Sequence, residues 1–159
     1  MGVIRHRCDV LRRLQAAKPR VAVMPYDASR HAAGVADLLA ACHDSNAGGP
    51  RMTAAGLGAE LRSRPGRTVH PLVAELAEQD GGRSLTGVAV LVESQGELAV
   101  RFSIAWLFVH PDQRRQGIAT ALVAAAVTRA AMLGAAEVWA ESLDSWPAAD
   151  RFWQSLCGA

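Results

Sequence analysis

Residues 106–122, WLFVHPDQRRQGIATAL, constrain this chain more than any other stretch. An apolar run with strand character passes through a His-Pro turn into a short basic loop. The loop continues without a break into a long helix of alanine, valine and leucine. A helix that starts this way leaves its first backbone N–H groups without partners of its own, and those amides, with the positive end of the helix dipole, attract anions. Gly117 lets a phosphate come close, because a side chain there would stand between it and the amides. Arg114 and Arg115 add charge at the same place and can fork across phosphate oxygens. Two other phosphate loops are excluded. The nucleoside-triphosphate loop needs a lysine behind a glycine run, and the only lysine, Lys18, stands elsewhere; the G-x-G-x-x-G dinucleotide fingerprint is missing. The plainer alternative is a strand-turn-helix in which Gly117 serves only the turn.

The rest of the chain supplies one domain around that junction. Its 159 residues are enough for a substantial core. Half of them are apolar but only 5% are aromatic, so much of the core has to be close helix packing around small side chains. Ile4, Cys8, Leu11 and Leu14 recur at helical spacing between arginines, which predicts a basic amphipathic helix over 3–16 ended by Pro19 and a helical extension over 1–19. That helix reads as a docking element with a solvated charged face or as a contact for an acidic partner. A nucleic-acid role is disfavoured, because the net charge is only +2 and no aromatics interleave with the arginines. From residue 20 to 159 the pattern predicts a strand at 21–24, helices at 29–43 and 53–64, and strands at 69–77, 85–93 and 98–109 joined by short turns. A buried helix at 117–133, a strand at 138–141 and a final helix at 147–156 follow. The order is that of a single α+β domain.

Three widely spaced cysteines with no C-x-x-C pair and no signal peptide point to a reducing cytoplasm. The longest apolar runs are interrupted before the roughly 18 residues that a membrane helix needs, so no membrane span is expected. No metal-ligand pattern appears.

The segment Arg114-x-x-Gly117-x-Ala119, with Val109-x-Pro111 before it and an apolar helix from Ile118, resembles the pyrophosphate loop of the GCN5-related N-acetyltransferases (GNAT). The element order over 21–158 is similar to that family's as well. The resemblance implies an acyl-CoA N-acyltransferase fold: a mixed, mostly antiparallel sheet flanked by helices, here shortened at its C-terminal end. It implies acetyl-CoA as cosubstrate, lying where the strands at 98–109 and 138–141 splay apart. The pantetheine arm would meet Leu107, Phe108 and Val109. The pyrophosphate would meet Arg114 and the loop and helix start from Arg115 through Gln116, Gly117, Ile118, Ala119 and Thr120. Residues 107–109 also suit plain core strand.

The implied reaction is transfer of acetyl to a primary amine, of a small molecule or of a peptide or protein N-terminus, by direct attack. An ammonium has no lone pair, so a positioned base helps. Glu141 is the candidate, at a strand end beside the cleft in VWAES, a stretch similar to the one where bacterial N-terminal acetyltransferases place a glutamate; the alternative is a solvated or paired strand-end carboxylate. Glu75, Glu93 and His110 are weaker candidates. Two departures from the family's pattern stand out. Its cofactor-contacting Asn and proton-donating Tyr fall on Trp146 and Trp153, and an indole N–H is not a usable acid. The chain also ends where the family continues into two more strands. That leaves the strand at 138–141 with an open edge, for which a homodimer is the expected cover and the N-terminal helix another. These departures define the alternative reading, a non-catalytic acyl-CoA-binding or protein-interaction module.

Overall fold

The computed structural model describes residues 3–9, 20–46, 53–143 and 147–157. In chain order these form β1 (Val3–Asp9), β2 (Val21–Pro25), α1 (Ala28–Asn46), α2 (Ala54–Glu60), β3 (Arg67–Ala77), β4 (Arg83–Gln95) and β5 (Val100–Val109). A 3-10 turn (Pro111–Gln113), α3 (Ile118–Met132), β6 (Glu137–Leu143) and α4 (Pro147–Cys157) complete the chain. The strands make one six-stranded sheet in the order β1-β6-β5-β4-β3-β2. Every neighbouring pair is antiparallel except β5 and β6.

From Val21 onward the elements follow the sequence pattern, with ends set by local chemistry. Asp27 starts α1 by accepting from the Ser29 amide at 2.9 Å and the Ser29 hydroxyl at 2.6 Å. Those bonds hold its carboxyl below the usual carboxylate range. Thr53 caps α2 by accepting from the Gly56 amide. That helix stops at Glu60, short of the expected Arg64.

The sheet carries helices on both faces. Under α3 and α4, Leu91, Ile104, Val138 and Ala140 pack with Ile118, Leu122, Ala126 and Trp153. On the other face Val73 and Val88 meet Val35, Leu38 and Leu57 of α1 and α2, with Trp106 and Phe108 partly buried at the margin. The alanines of α3 do what the low aromatic content requires, letting the helix lie close to the sheet. At Gly87 the approach is close enough that an added Cβ would sit 2.8 Å from the Leu122 Cδ1 and 3.0 Å from the Ile118 Cγ2. No helix among the described residues is long and apolar enough to cross a membrane.

The N-terminus corrects the expected helix. Residues 3–9 form a strand, and VIRHRCD alternates as a strand does: His6 and Cys8 are buried, while Arg5 and Arg7 are exposed. The i, i+4 match between Ile4 and Cys8 is compatible with both periods, and tertiary pairing decides between them. Residues 10–19, including Leu11 and Leu14, lie outside the described residues.

β1 also answers the open edge. It pairs with the whole of β6, from Val3 opposite Leu143 to Asp9 opposite Glu137. Residues 3–9 of the expected extension are therefore a sheet strand, and the cover comes from the chain itself. The homodimer was inferred from an edge that is already filled.

The sheet is also closed covalently. Cys8 and Cys157 form a disulfide that ties β1 to the last turn of α4, and Cys42 remains a buried free thiol. Burial pushes the Cys42 thiol up, against the opposing pull of Arg114.

Candidate active site

The site begins with one extra residue. Val90 of β4 lies opposite Trp106 of β5, but its neighbour Leu91 lies opposite Ile104. Ala105 has no opposite number and forms a bulge, which bends a strand and sharpens its twist. On the other side of β5, the pairing with β6 consists of Ser103 opposite Trp139 and Ile104 opposite Ala140. The two parallel strands thus separate where the bulge begins, and among the described residues the β6-facing edge of β5 from Ala105 to Val109 has no strand partner. Unpaired N–H and C=O groups along such an edge can bind an extended amide-bearing chain as another strand would.

The gap leads to the loop before α3. The His110 ring accepts from the Asp112 amide at 3.3 Å and caps the 3-10 turn, and the His110 amide donates to the Thr86 carbonyl at 2.8 Å. Beyond the turn, Arg115 has φ 65° and Gly117 has φ 81°. Left-handed backbone is uncommon for a side chain the size of arginine, and such outliers gather at ligand-binding turns. Gly117 is also the N-cap of α3 and makes no side-chain cap bond. A cap without an acceptor leaves the first amides of α3, at Ile118, Ala119 and Thr120, for an exogenous anion. Arg114 and Arg115 are exposed beside it. The Arg114 Nε donates to the Val109 carbonyl at 3.4 Å, and the Cys42 thiol donates to that same oxygen at 3.4 Å. The guanidinium is therefore tethered at the junction of gap and loop.

The expected cofactor residues are brought together in two groups. Leu107 and Val109 lean against the core under α3, while Phe108 lies on the other face with Trp106, their rings edge to face at 6.0 Å. What residues 107–109 offer the gap is backbone. Arg114 to Thr120 form the loop and helix start.

Glu141 lies one residue beyond the last β5–β6 pair, at the mouth of the gap. Its Oε1 accepts from the Arg5 Nε at 3.1 Å, across the β1–β6 pair. Both side chains are largely exposed, so this pair orients the carboxylate more than it stabilises the fold. The weaker candidates lie apart from it. Glu75 on β3 is buried, with its Oε1 3.6 Å from the His31 Nε2 and 3.5 Å from the Arg30 Nη2. Glu93 on β4 meets the His70 Nε2 at 3.4 Å.

Trp153 is core. It is 3% exposed, edge to face with Phe152 at 5.1 Å and stacked on His6 at 6.3 Å. Trp146 lies outside the described residues. Sequence reasoning missed the polar cluster beside Trp153. The His6 Nε2 is 3.1 Å from the Ser142 Oγ and 3.3 Å from the Asp150 Oδ1. The signal was the alternation of His6 with Arg5 and Arg7.

Comparison with known proteins agrees with this architecture. The Acetyltransferase (GNAT) family profile matches residues 35–159. No curated protein is similar enough in sequence to match. A ribosomal-protein-alanine N-acetyltransferase from Brucella melitensis biovar Abortus superposes with TM-score 0.67 at 19% identity, over 87% of this chain and 92% of that one. An aminoglycoside N-acetyltransferase in complex with CoA gives TM-score 0.64 at 18% identity, over 87% and 90%. A glucosamine N-acetyltransferase region of a fungal multi-domain β-N-acetylglucosaminidase gives TM-score 0.67 at 16% identity, over 86% of this chain but only 17% of that much longer one. At these identities the structural likeness speaks for the fold. With the profile covering most of the chain, the protein belongs to the GNAT family of acetyltransferases.

Proposed function

We propose that this protein uses acetyl-CoA to acetylate a primary amine by direct attack, with Glu141 as the base. The observation that carries the reading is the continuity of three features: the β5–β6 gap opened by the Ala105 bulge, the uncapped start of α3 below it, and Glu141 at its mouth. The gap edge at residues 105–109 suits the amide-bearing pantetheine arm. The amides of residues 115–120, with Arg114 and Arg115, suit the pyrophosphate.

In this reading the acceptor enters from the face that carries Glu141, Trp106 and Phe108. Glu141 takes a proton from the ammonium, directly or through a water, and the freed lone pair attacks the thioester carbonyl. Collapse of the tetrahedral intermediate breaks the C–S bond and sends its electron pair to sulfur, the nitrogen gives its second proton to solvent, and the thiolate takes one from solvent. The acceptor is a small amine or a peptide or protein N-terminus. Names among the structural neighbours include both a protein-alanine and an aminoglycoside acetyltransferase, which supports the breadth of this class without choosing within it.

The non-catalytic reading keeps one specific support, the burial of Trp153 where an acid would be needed. Release of CoA thiol from acetyl-CoA, followed with a thiol reagent across a panel of amines and N-terminal peptides, separates the two. Turnover with any amine supports the enzyme. Tight acetyl-CoA binding with no turnover across the panel supports the module.

A further inference from the structure

Resting on the acetyl-transfer reading, we infer that the acceptor is a peptide or protein N-terminus with acidic residues at about its third to fifth positions, held there by Arg64, Arg67 and Arg101. These arginines form one row across the sheet. Arg64 bridges to Arg67 across the turn at Pro65 and Gly66, Arg67 lies opposite Ser94, and Ser94 lies opposite Arg101. Directly opposed residues of antiparallel strands put their side chains on one face. Two places along the strands from this row, Val69 and Val92 pack with Leu61 and Trp106, so the row shares the α1 and α2 face of the sheet.

Among the described residues no carboxylate answers this row. None of these arginines makes an ion pair there, and the Arg67 Nη1 is buried without a hydrogen-bond partner. Like charges set directly opposite destabilise a strand pair, so Arg64 against Arg67 is a cost that folding alone does not explain. An enclosed guanidinium N–H without an acceptor adds a desolvation cost. A bound carboxylate removes both, and a guanidinium takes one up in a forked geometry. Two acids elsewhere on this face are already held. Glu137 accepts from the Arg7 Nε at 2.6 Å and from the Trp139 indole N–H at 3.1 Å, and Glu141 accepts from the Arg5 Nε.

The row and Glu141 are two ends of one track. Past Arg101 on β5, Ser103 lies opposite Trp139 of β6, and Glu141 follows Trp139 on the same side of its strand. Val138 and Ala140 pack under α3 and α4, so Trp139 and Glu141 project to the face that carries the arginines. About four strand residues at roughly 3.3 Å each separate the arginine row from the level of Glu141, or roughly 13 Å. An extended peptide whose amine lies at Glu141 covers that distance in about four residues, and the length of the arginine side chains brings its third to fifth residues within reach. Ser103 offers a hydroxyl along the way. Trp139, half-buried and outside the packed cores, offers a ring that its bond to Glu137 holds in place. A small amine at Glu141 leaves the row empty, whereas an acidic peptide fills both ends.

The test uses two peptides, alike except that the third to fifth residues are Asp or Glu in one and the corresponding amides in the other, each labelled at its C-terminus. CoA release gives kcat and KM, and fluorescence anisotropy gives binding without turnover. At low salt the acidic peptide should have a kcat/KM about tenfold higher, through KM, and the advantage should shrink as salt is added. It should vanish in the double variant Arg67→Gln, Arg101→Gln, with kcat and acetyl-CoA affinity at wild-type values, and should largely persist in Arg101→Lys, which keeps the charge. Equal kcat/KM for the two peptides in wild type, a preference that survives in the double variant, or turnover of small amines alone would overturn the acidic-peptide assignment and leave the acetyl-transfer reading intact. Selective binding of the acidic peptide with no turnover of any amine would keep the arginine row as a peptide site and overturn the acetyl-transfer reading instead. Neither turnover nor selective binding would overturn both.

Discussion

Two regions border the β5–β6 gap and are assembled in different ways. In the loop from Arg114 to Thr120, the turn, the left-handed residues, the charge and the helix start follow one another along a few residues of chain. Across β6, the contacts that set Glu141 and Ser142 join residues 136 positions apart, and the disulfide behind them closes a separation of 149. The first region depends on local backbone conformation, the second on closure of the whole sheet. Donor binding and catalysis should therefore respond to different substitutions.

The largest separation comes from Gly117→Glu. It places an anion on the approach to the amides and forces a side chain into backbone at φ 81°. Calorimetry should show acetyl-CoA affinity falling by more than about a hundredfold, in a protein whose β1–β6 pairing and disulfide are intact. Glu141→Gln is the converse. Acetyl-CoA affinity should hold, while the acetylation rate falls by about 10²–10⁴ at neutral pH. The deficit should shrink as pH rises toward the acceptor's own pKa, near 8 for an α-amine, because the free amine then forms without a base. A deficit that stays flat across pH would assign Glu141 a positioning role and blur the contrast.

Smaller effects come from the closure itself. Cys8→Ser releases the clasp between β1 and α4 and should cost about 2–4 kcal/mol of stability, or roughly 4–16 °C in Tm by calorimetry. If β1 carries catalysis, this variant should also lose more acetylation rate than acetyl-CoA affinity. Arg5→Ala breaks an exposed pair and should change denaturant stability by less than about 1 kcal/mol. Its effect should be confined to the rate, through a less ordered Glu141.

The same contrast explains what could be read from the sequence. The conformation of the loop from Arg114 to Thr120 was legible because it is local: Gly117 before an apolar helix implies an uncapped helix start with arginines beside it. Though β6 runs on to Leu143, so that Glu141 sits within the strand and not at its expected end, the elements from Val21 to α4 were legible from periodicity. Ala105 was not, since an alanine in a strand gives no sign of a bulge until its neighbour's register is known. β1 was misread because Ile4 and Cys8 fit a helix, and only pairing with β6 selects the period of two. The bond between Cys8 and Cys157 followed that error, because a helix at 3–16 gave no reason to bring the chain's two ends together.

The central claim is that acetyl-CoA occupies the gap between β5 and β6 and the start of α3. Hydrogen exchange on the wild-type protein, with and without saturating acetyl-CoA, tests it without requiring the acceptor. The account predicts slowed exchange at amides of residues 105–109 and 115–120, with little change in β2 and α2. Unchanged exchange at both of those segments, or protection concentrated elsewhere, would contradict it.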